Sequence, residues 1–422
     1  MSREPVSEQD RPASVSRRAF LGAAGAIAFN ARQSRADNLA ARPARDSDDP
    51  LFMSATRLAE SIRQKKLSAT EAVRLHIARI EAVNPKINAV VAACFERALL
   101  EAAEADAALS RGKLRGPLHG VPMTIKDSFD TEGLVSTGGT LGRKDFVPAK
   151  DATLVARARA AGAILLGKTN TPEFTLGVGP RGTDNFVYGL TRNPYHLDYQ
   201  PGASSGGSAA SVAAGCASFD IGSDWYGSIR DPSNACGVVG LKPTHGRCPR
   251  TGHIIGYGGL FDSFQQVGPM ARWVEDLALL MPILSGPDNW DAATVPVPLG
   301  DVAAVDVKKL RVAFYPTNGI NEPAAEVQAL VKKCAGYFEK AGCRVTEDMP
   351  PKMSELAEAR SEFSSTVGGY LTRVLLERSG TKQPYPHLPM GGEERPSAEL
   401  TRFAEELDAV RSEQLAWFEK YD

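Results

Sequence analysis

The chain has 422 residues, with 43% hydrophobic and 23% charged side chains, so it can bury a large core as one α/β domain or as two smaller ones. The formal net charge is −1 at pH 7, and no dense basic patch marks a surface for nucleic acid or an anionic membrane. The six cysteines include no CxxC pair, which argues against a zinc site and favours small core residues, especially at Cys216 and Cys236.

Residues 1–36 are predicted to be an export signal that is not part of the fold. The stretch SRRAFL at 16–21 resembles a twin-arginine signal, and the apolar run 22–29 is too short for a bilayer span, which takes about 20 residues. A small residue at Ala36 fits a cleavage site. We expect a periplasmic or secreted protein with no stable membrane anchor after cleavage; the alternative is a disordered basic tail. Residues 37–53 are polar and indicate a linker.

Residues 54–422 are predicted to form the main domain, and its first part is helical. Apolar residues recur at helical spacing between 54 and 91. Ser68 and Glu71 have the spacing of a capping box that opens the second of two helices, and Pro85 is expected to follow the end of that helix.

Predicted strands alternate with predicted helices along the rest of the chain. Short apolar runs indicate strands at 120–124, 163–166 and 310–315, one that ends at Ile221, and one that begins at Cys343. Helical patterns cover 95–109, 154–161, 208–216, 322–341 and 397–421. This alternation predicts an α/β fold, with a large mixed β-sheet core wrapped by helices.

The residues that can carry chemistry lie in two serine-bearing segments and around one lysine. Residues 202–208 read GASSGGS, residues 222–230 read GSDWYGSIR, and Lys126 follows the predicted strand 120–124, in VPMTIKD. A serine hydroxyl is a weak nucleophile at neutral pH and needs a neighbouring base. None of the six histidines accompanies a GxSxG elbow, whereas a lysine can be the base if burial lowers its pKa and leaves it neutral.

These segments, followed by CGVVGLKPTHGRCPRTG at 236–252, occur in the order typical of the amidase signature family. The chain resembles that family from about residue 54 onwards. The resemblance implies hydrolysis of a carboxamide C–N bond by a Ser-Ser-Lys triad, in which Ser228 is the nucleophile, Ser204 the bridging serine and neutral Lys126 the base. It implies a small-molecule amide substrate, no metal and no organic cofactor.

Other residues of the two serine-bearing segments are predicted to support the triad. Asp224 and Arg230 are expected to pair and fix the shape of the second segment, and Ser205 is expected to hydrogen-bond locally. By the same resemblance, the oxyanion hole is expected to consist of the backbone N–H groups of Trp225, Tyr226, Gly227 and Ser228.

The chain departs from the family pattern at two positions in these segments and at its end. Ala203 and Tyr226 stand where glycine is common, and a side chain at Tyr226 narrows the acyl pocket or stacks on an aromatic group of the substrate. It would also penalise a backbone with positive φ. The chain ends at Asp422, earlier than family members usually do, so C-terminal elements of the fold are expected to be absent. Residues 360–392 are expected to supply part of the substrate pocket.

The leading hypothesis is therefore an exported amide hydrolase. A glutaminase subunit of a tRNA-dependent amidotransferase is an alternative, which the export signal and the absence of a basic surface oppose. A catalytically silent, truncated amidase-like protein is a second alternative, and ester hydrolysis or aminolysis by the same serine is a third.

Overall fold

The structure is a computed structural model that describes residues 48–257, 259, 262–391 and 395–422. The predicted export signal and the first part of the predicted linker lie outside these residues. In the part of the chain that is described, no helix is both long and apolar enough to cross a membrane.

The helices lie along the whole described chain. They are α1 (Ala55–Arg63), α2 (Ala69–Ile87), α3 (Phe95–Ser110), α4 (Thr153–Ala160), α5 (Gly206–Ala213), α6 (Arg230–Ala235), α7 (Val274–Leu284), α8 (Ala325–Lys340), α9 (Met353–Ser379) and α10 (Ser397–Phe418). Short 3₁₀ turns occur at Leu141–Arg143, Glu173–Thr175, Asp262–Phe264, Val302–Ala304 and Val307–Lys309.

The strands form one large sheet and one strand pair. They are β1 (Val90–Ala93), β2 (Pro122–Lys126), β3 (Ile164–Thr169), β4 (Phe219–Asp224), β5 (Val239–Gly240), β6 (Gln266–Ala271), β7 (Arg311–Phe314) and β8 (Arg344–Glu347). The six-stranded sheet has the order β1-β3-β2-β4-β6-β5. β2 runs parallel to β3 and β4, while β1, β5 and β6 join antiparallel. The predicted α/β fold with a mixed sheet and helices around it is confirmed.

The three parallel strands at the centre of this sheet, β2, β3 and β4, end on the same side of the sheet. Lys126, Thr169 and Asp224 are the last residues of β2, β3 and β4, and every residue of these strands is buried. In open α/β sheets, ligands bind at the carboxyl edge of the strands. The lysine singled out from the sequence therefore lies where such a fold usually places its site.

The helical start of the domain confirms one sequence prediction and corrects two. Ser68 and Glu71 form the capping box: the Ser68 Oγ accepts the Glu71 amide N–H at 3.0 Å, and the Glu71 carboxylate accepts the Ser68 amide N–H at 2.8 Å. The expectation that Pro85 follows α2 is wrong, because the helix continues to buried Ile87 and a proline in the last turn forfeits only one backbone bond. Left-handed Asn88, with φ 48°, then ends the helix, so β1 forms where helical spacing was extended to residue 91.

The chain divides into two compact units by its internal contacts. One contains the six-stranded sheet and consists of the described residues up to 298 together with 367–391. The other consists of 299–366 and the described residues beyond 392. In the latter, β7 pairs parallel to β8 over a small core of Val307, Leu310 and Cys343.

Candidate active site

Lys126 is fully buried at the carboxyl end of β2. Its side-chain nitrogen Nζ lies 2.7 Å from the Ser204 Oγ, 2.9 Å from the Ser205 Oγ and 3.0 Å from the Ser223 Oγ. Ser204 and Ser205 precede α5, while Ser223 is on the neighbouring strand β4. The fold thus brings the lysine together with one predicted triad serine, one predicted supporting serine and one serine that sequence reasoning missed.

Burial changes the acid–base behaviour of Lys126. Removal from water lowers the pKa of Lys126 to about 7, although the negative charges of Asp224 and Asp220 act in the opposite direction. A lysine with this pKa is neutral in about half of the molecules at pH 7. It can therefore accept a proton at neutral pH, which an exposed lysine cannot do.

The three hydroxyls around Lys126 are not equivalent. The Ser205 hydroxyl donates to the Ser223 carbonyl oxygen at 3.2 Å, so towards Lys126 it serves as an acceptor. The Ser204 hydroxyl has Lys126 as its hydrogen-bond partner among the described residues. The Ser223 hydroxyl likewise has Lys126 as its hydrogen-bond partner among these residues. A hydroxyl has one proton to donate, so Ser204 and Ser223, unlike Ser205, each have a proton that can pass to a neutral Lys126, and of these two Ser204 is the predicted bridging serine.

Ser228 lies in the loop between β4 and α6 and is partly exposed. Its carbonyl oxygen accepts the Ser205 amide N–H at 3.1 Å, which ties the predicted nucleophile loop to the segment that carries Ser204. No hydrogen bond joins the hydroxyls of Ser228 and Ser204 in the described part of the chain. The structure therefore brings Ser228 next to the Lys126–Ser204 pair through the backbone, and its role as the nucleophile stays a prediction.

Asp224 holds this loop in shape. Its carboxylate accepts a bidentate pair of bonds from the Arg230 guanidinium at 3.0 Å each, the Gly227 amide at 2.9 Å, the Ile229 amide at 3.1 Å, and an ion pair from Lys242 at 3.1 Å. Burial alone would raise the pKa of Asp224, but these bonds and positive charges hold it well below its usual range. The expected pairing of Asp224 with Arg230 is present, and it fixes the turn that follows β4.

The backbone of the same loop shows how it accommodates an aromatic residue. Gly227 takes the positive φ of +131°, and Tyr226 is not among the positive-φ residues of the described chain. The conflict expected between Tyr226 and a positive φ therefore does not arise. The Gly227 amide N–H is used by Asp224 in this arrangement, and the assignment of the oxyanion hole to Trp225, Tyr226, Gly227 and Ser228 stays a prediction.

Two aromatic rings lie beside the predicted nucleophile. The ring centroids of Trp225 and Tyr226 are 4.9 Å apart, and Tyr226 is 39% exposed. An aromatic surface next to a partly exposed Ser228 can contact the acyl or the amine part of a substrate.

Small residues allow α5 to lie directly on the sheet. A Cβ atom on Gly207 would overlap the backbone of Asn170, which follows β3. Gly206, Gly207 and the next four residues are all buried. This close approach places Ser204 and Ser205, at the start of α5, over the end of β2.

The cysteines occupy core positions where they were expected to. Cys216 and Cys236 are fully buried, and burial raises the pKa of each thiol to about 12, which leaves no reactive thiolate at neutral pH. Among the described residues, no three His, Cys, Asp or Glu side chains are grouped so that they could hold a metal ion.

Comparison with known proteins identifies the family. A family model described as "Amidase" matches residues 71–416. An "Acylamidase" from Rhodococcus erythropolis is 42% identical over 302 residues, which are 71% of this chain and 62% of that protein. A relative from Moorella thermoacetica, named as a subunit of glutamyl-tRNA(Gln) amidotransferase, is 40% identical over 306 residues, 71% of this chain and 61% of that protein. The chain thus spans about six-tenths of the length of these curated relatives.

Solved structures give the same result. The structure of 6-aminohexanoate cyclic dimer hydrolase has a TM-score of 0.75 and 30% identity, and the match covers 88% of this chain and 78% of that one. A bacterial aryl acylamidase described as an amidase signature enzyme has a TM-score of 0.70 and 28% identity, over 87% of this chain and 76% of that one. With the family model matching most of the sequence, this chain belongs to the amidase signature family.

Proposed function

We propose that this chain is an exported enzyme that hydrolyses the C–N bond of small carboxamides through an acyl-enzyme on Ser228. The observation that carries the proposal is the 2.7 Å contact between the fully buried Lys126 Nζ and the Ser204 Oγ. A lysine in this position is a base at neutral pH, because burial lowers its pKa to about 7.

In the first step, neutral Lys126 accepts the proton of the Ser204 hydroxyl, and Ser204 in turn accepts the proton of Ser228. The Ser228 oxygen then attacks the amide carbonyl carbon, and a tetrahedral intermediate with a negative oxygen forms. Backbone N–H groups of the loop that carries Ser228 stabilise that oxygen, apart from the Gly227 N–H, which donates to Asp224. This step requires the two serine hydroxyls to approach each other when substrate is bound.

In the second step, the relay runs in reverse. Protonated Lys126 returns its proton through Ser204 to the departing nitrogen, the C–N bond breaks, and ammonia or an amine leaves. Water then attacks the acyl-enzyme with the same groups acting as base and acid, which releases the carboxylic acid and restores the Ser228 hydroxyl. Atoms and charge balance without any further reactant.

The substrate class follows from the site and from the relatives together. Tyr226 and Trp225 give the nucleophile an aromatic neighbour, which suits an amide with an aromatic acyl or amine group. The relatives named for amide hydrolysis, an acylamidase and an aryl acylamidase, support the same reaction class.

Covalent labelling tests the proposal. The purified chain is treated with an alkyl fluorophosphonate, and the modified residue is identified by mass spectrometry in the parent, in Ser228→Ala and in Ser110→Ala, which changes a serine of α3 outside the site. We expect one label on Ser228, no label in Ser228→Ala and full labelling in Ser110→Ala. A folded parent that takes no label would favour the catalytically silent alternative. Release of amines from a panel of aryl and alkyl amides would then define the substrate.

A glutaminase subunit is the second candidate, because the relative from Moorella thermoacetica with that kind of name is 40% identical. Ammonia release from free glutamine separates the two candidates. We expect faster cleavage of aryl amides than of glutamine, and the reverse order would favour the glutaminase.

The export part of the proposal rests on SRRAFL at 16–21. Expression of the full chain in a bacterium with a twin-arginine pathway should give a processed periplasmic protein. Changing both Arg17 and Arg18 to lysine should leave the protein uncut in the cytoplasm. A parent chain that also stays cytoplasmic and uncut would refute export without touching the proposed chemistry.

A further inference from the structure

Beneath Lys126 lies a second buried ionisable group that the proposed mechanism does not use. Asp220 is on β4, and its side chain has no exposed surface. Met123 of β2 is paired in register with Phe219 of β4, so Asp220 stands beside Thr124, two residues before Lys126. Because side chains alternate along a strand, Thr124 and Lys126 share a face of the sheet.

Asp220 is held by a network of hydroxyls from three elements. Its Oδ2 accepts the Thr124 hydroxyl of β2 at 2.7 Å and the Thr169 hydroxyl of β3 at 3.0 Å. Thr124 is itself 3.2 Å from the Ser211 Oγ, and Thr169 is 3.0 Å from the Ser208 Oγ, both on α5. Each threonine has one proton and gives it to Asp220, so the α5 serines donate to the threonines. The network therefore connects the two strands with the helix that follows Ser204 and Ser205.

The other carboxylate oxygen of Asp220, Oδ1, is buried without a hydrogen-bond partner in the described part of the chain. Buried polar atoms are usually paired, so an unpaired one calls for an explanation. If the only role of Asp220 were to hold the two threonines, the bonds to Oδ2 would suffice, and a neutral side chain could accept them as well. An unpaired carboxylate oxygen is a cost that a well-paired neutral side chain would avoid, so hydrogen bonding alone does not account for a carboxylate at this position.

The charged groups around Asp220 come from several elements. Lys126 of β2 and Lys168 of β3 are both fully buried and interact with its charge. Asp224 ends the same strand, and buried His253 also lies in the field of Lys126. Helix α5, which packs over the network, contains no ionisable residue. Asp220 is thus a buried carboxylate whose nearby positive charges are lysines.

We propose that Asp220 is a positioning residue for acyl transfer: through Thr124 and Thr169 it fixes the layer beneath Lys126, and its negative charge sets how readily that lysine releases and regains its proton. The inference rests on the proposed function, because it assigns Asp220 to the same relay. Asp220 acts through Lys126 and touches neither the substrate nor the reacting atoms.

The charge argument predicts a direction. Burial raises the pKa of Asp220 to about 6, against the hydrogen bonds of Thr124 and Thr169 and the charge of Lys126. Above that pH, the carboxylate is negative and stabilises the ammonium form of Lys126. Asp220→Asn removes the charge and keeps an oxygen that can accept the threonine hydroxyls, so Lys126 should lose its proton at a lower pH.

The test measures the rate constant of fluorophosphonate labelling of the full chain between pH 5.5 and 9. The acid limb is the part of the pH–rate profile in which the labelling rate rises with pH. In Asp220→Asn, this limb should move to lower pH by about one unit, the size of one charge–charge interaction in a partly screened interior. The plateau rate at high pH should stay within about threefold of the parent, since the relay groups are unchanged. An acid limb that stays in place in the folded variant would overturn the inference.

The matched control is Asp276→Asn. Asp276 is as deeply buried and accepts the amide N–H groups of Ala55 and Thr56 at 3.0 and 2.9 Å at the start of α1. Its loss should lower the melting temperature and leave the acid limb in place. If both variants shift the limb equally, the effect is a general loss of packing and the inference fails.

A second variant covers the case in which Asp220→Asn does not fold. Thr169→Val keeps the shape of the side chain and removes one of the two hydroxyls that stabilise the Asp220 anion. The carboxylate is then protonated over a wider pH range, so the acid limb should move in the same direction by a smaller amount. A limb that stays in place, or one that moves to higher pH, would contradict the inference.

A direct readout of Lys126 separates this inference from the proposed function. Lysine labelled with ¹³C at Cε is followed by NMR across the same pH range, and the Lys126 signal is identified by its absence in Lys126→Met. We expect its titration midpoint to be about one unit lower in Asp220→Asn. A shifted midpoint in a chain that takes no fluorophosphonate would refute the hydrolase and leave the role of Asp220 intact. An unshifted midpoint in a chain that is labelled would do the reverse.

Discussion

The pH dependence of serine labelling tests the central feature of this site, the buried Lys126. The perturbation is a change in pH from 6 to 8, carried out on the parent chain and on Lys126→Met, which keeps an unbranched side chain one atom shorter and removes the base. The relay needs Lys126 in its neutral form, so the labelling rate should follow the neutral fraction.

The magnitude follows from burial. With the pKa of Lys126 at about 7, the neutral fraction is about one tenth at pH 6, one half at pH 7 and nine tenths at pH 8. The labelling rate should therefore rise about tenfold between pH 6 and 8 and level off above pH 8. At the ordinary lysine pKa of about 10.4, fewer than about one molecule in a thousand would be neutral at pH 7, and the rate would still be rising tenfold per unit at pH 9.

The assay is intact-protein mass spectrometry of samples quenched at intervals, with an alkyl fluorophosphonate at constant ionic strength. Circular dichroism at each pH confirms that the chain is folded, and hydrolysis of the probe alone is subtracted. Lys126→Met should be slower by about two to four orders of magnitude and should lack the limb. A parent rate that is flat from pH 6 to 8, or a variant with the parent's limb, would refute a neutral lysine base.

Three further outcomes are expected. Ser204→Ala should slow labelling of Ser228 by about 10²- to 10⁴-fold, whereas Ser205→Ala should slow it less, because the Ser205 hydroxyl donates its proton to the Ser223 carbonyl. Equal losses of rate in the two variants, measured in the same labelling assay, would contradict the assignment of roles. Asp224→Asn should lower the free energy of unfolding by at least about 2 kcal/mol at pH 7, because it breaks a buried network. The pKa of Asp224 is lowered in the fold, so this contribution is present above about pH 4, the unfolded value, and is lost as the pH falls below it. Urea unfolding that shows the same difference between parent and variant at pH 7 and at low pH would count against it. Lys126→Met should raise the melting temperature, because burying the ammonium form of Lys126 destabilises the parent. The lowered pKa of Lys126 means that the parent becomes more stable as the pH rises from about 7 to about 10.4. The advantage of the variant over the parent should therefore be nearly full at pH 7 and fade towards pH 10, and an advantage independent of pH would show that burial of the amine is not the cause.

The sequence was sufficient for the main elements of the site where local pattern and physical chemistry agree. An apolar run ending in Lys126 predicts a buried strand with a lysine at its end, and the structure places it so. The pairing of Asp224 with Arg230 could be inferred because the two residues bracket one short loop. In both cases the partners are close in the chain or lie on an element of strong pattern.

Contacts between distant elements were not predictable in the same way. Ser223 reaches Lys126 from a neighbouring strand, and Asp220 collects hydroxyls from β2 and β3. Which residues face each other depends on strand order and register, which no local pattern specifies. The sequence did offer one indication: Asp220 is a charged residue in a buried strand, and a buried carboxylate needs partners.

Two elements of secondary structure were not predicted, for related reasons. Helical spacing continued across Asn88 into residues that form β1, because short apolar runs fit a helix and a strand equally well. The 27-residue helix α9 lies where the sequence indicated only part of a substrate pocket. Its first residues are largely polar, so no apolar stripe drew attention to it.

The close approach of α5 to the sheet divides the neighbourhood of Ser228, the proposed nucleophile, into a part that can change and a part that cannot. Gly207 has no room for even a methyl group against Asn170, and its neighbours on α5 are enclosed. Substitutions there would move Ser204 away from Lys126. Tyr226, by contrast, is exposed, and Gly227 beside it takes the unusual backbone angle. Selection for a new amide can therefore act on one side of Ser228, while the other side is fixed by the requirement that a proton be able to leave.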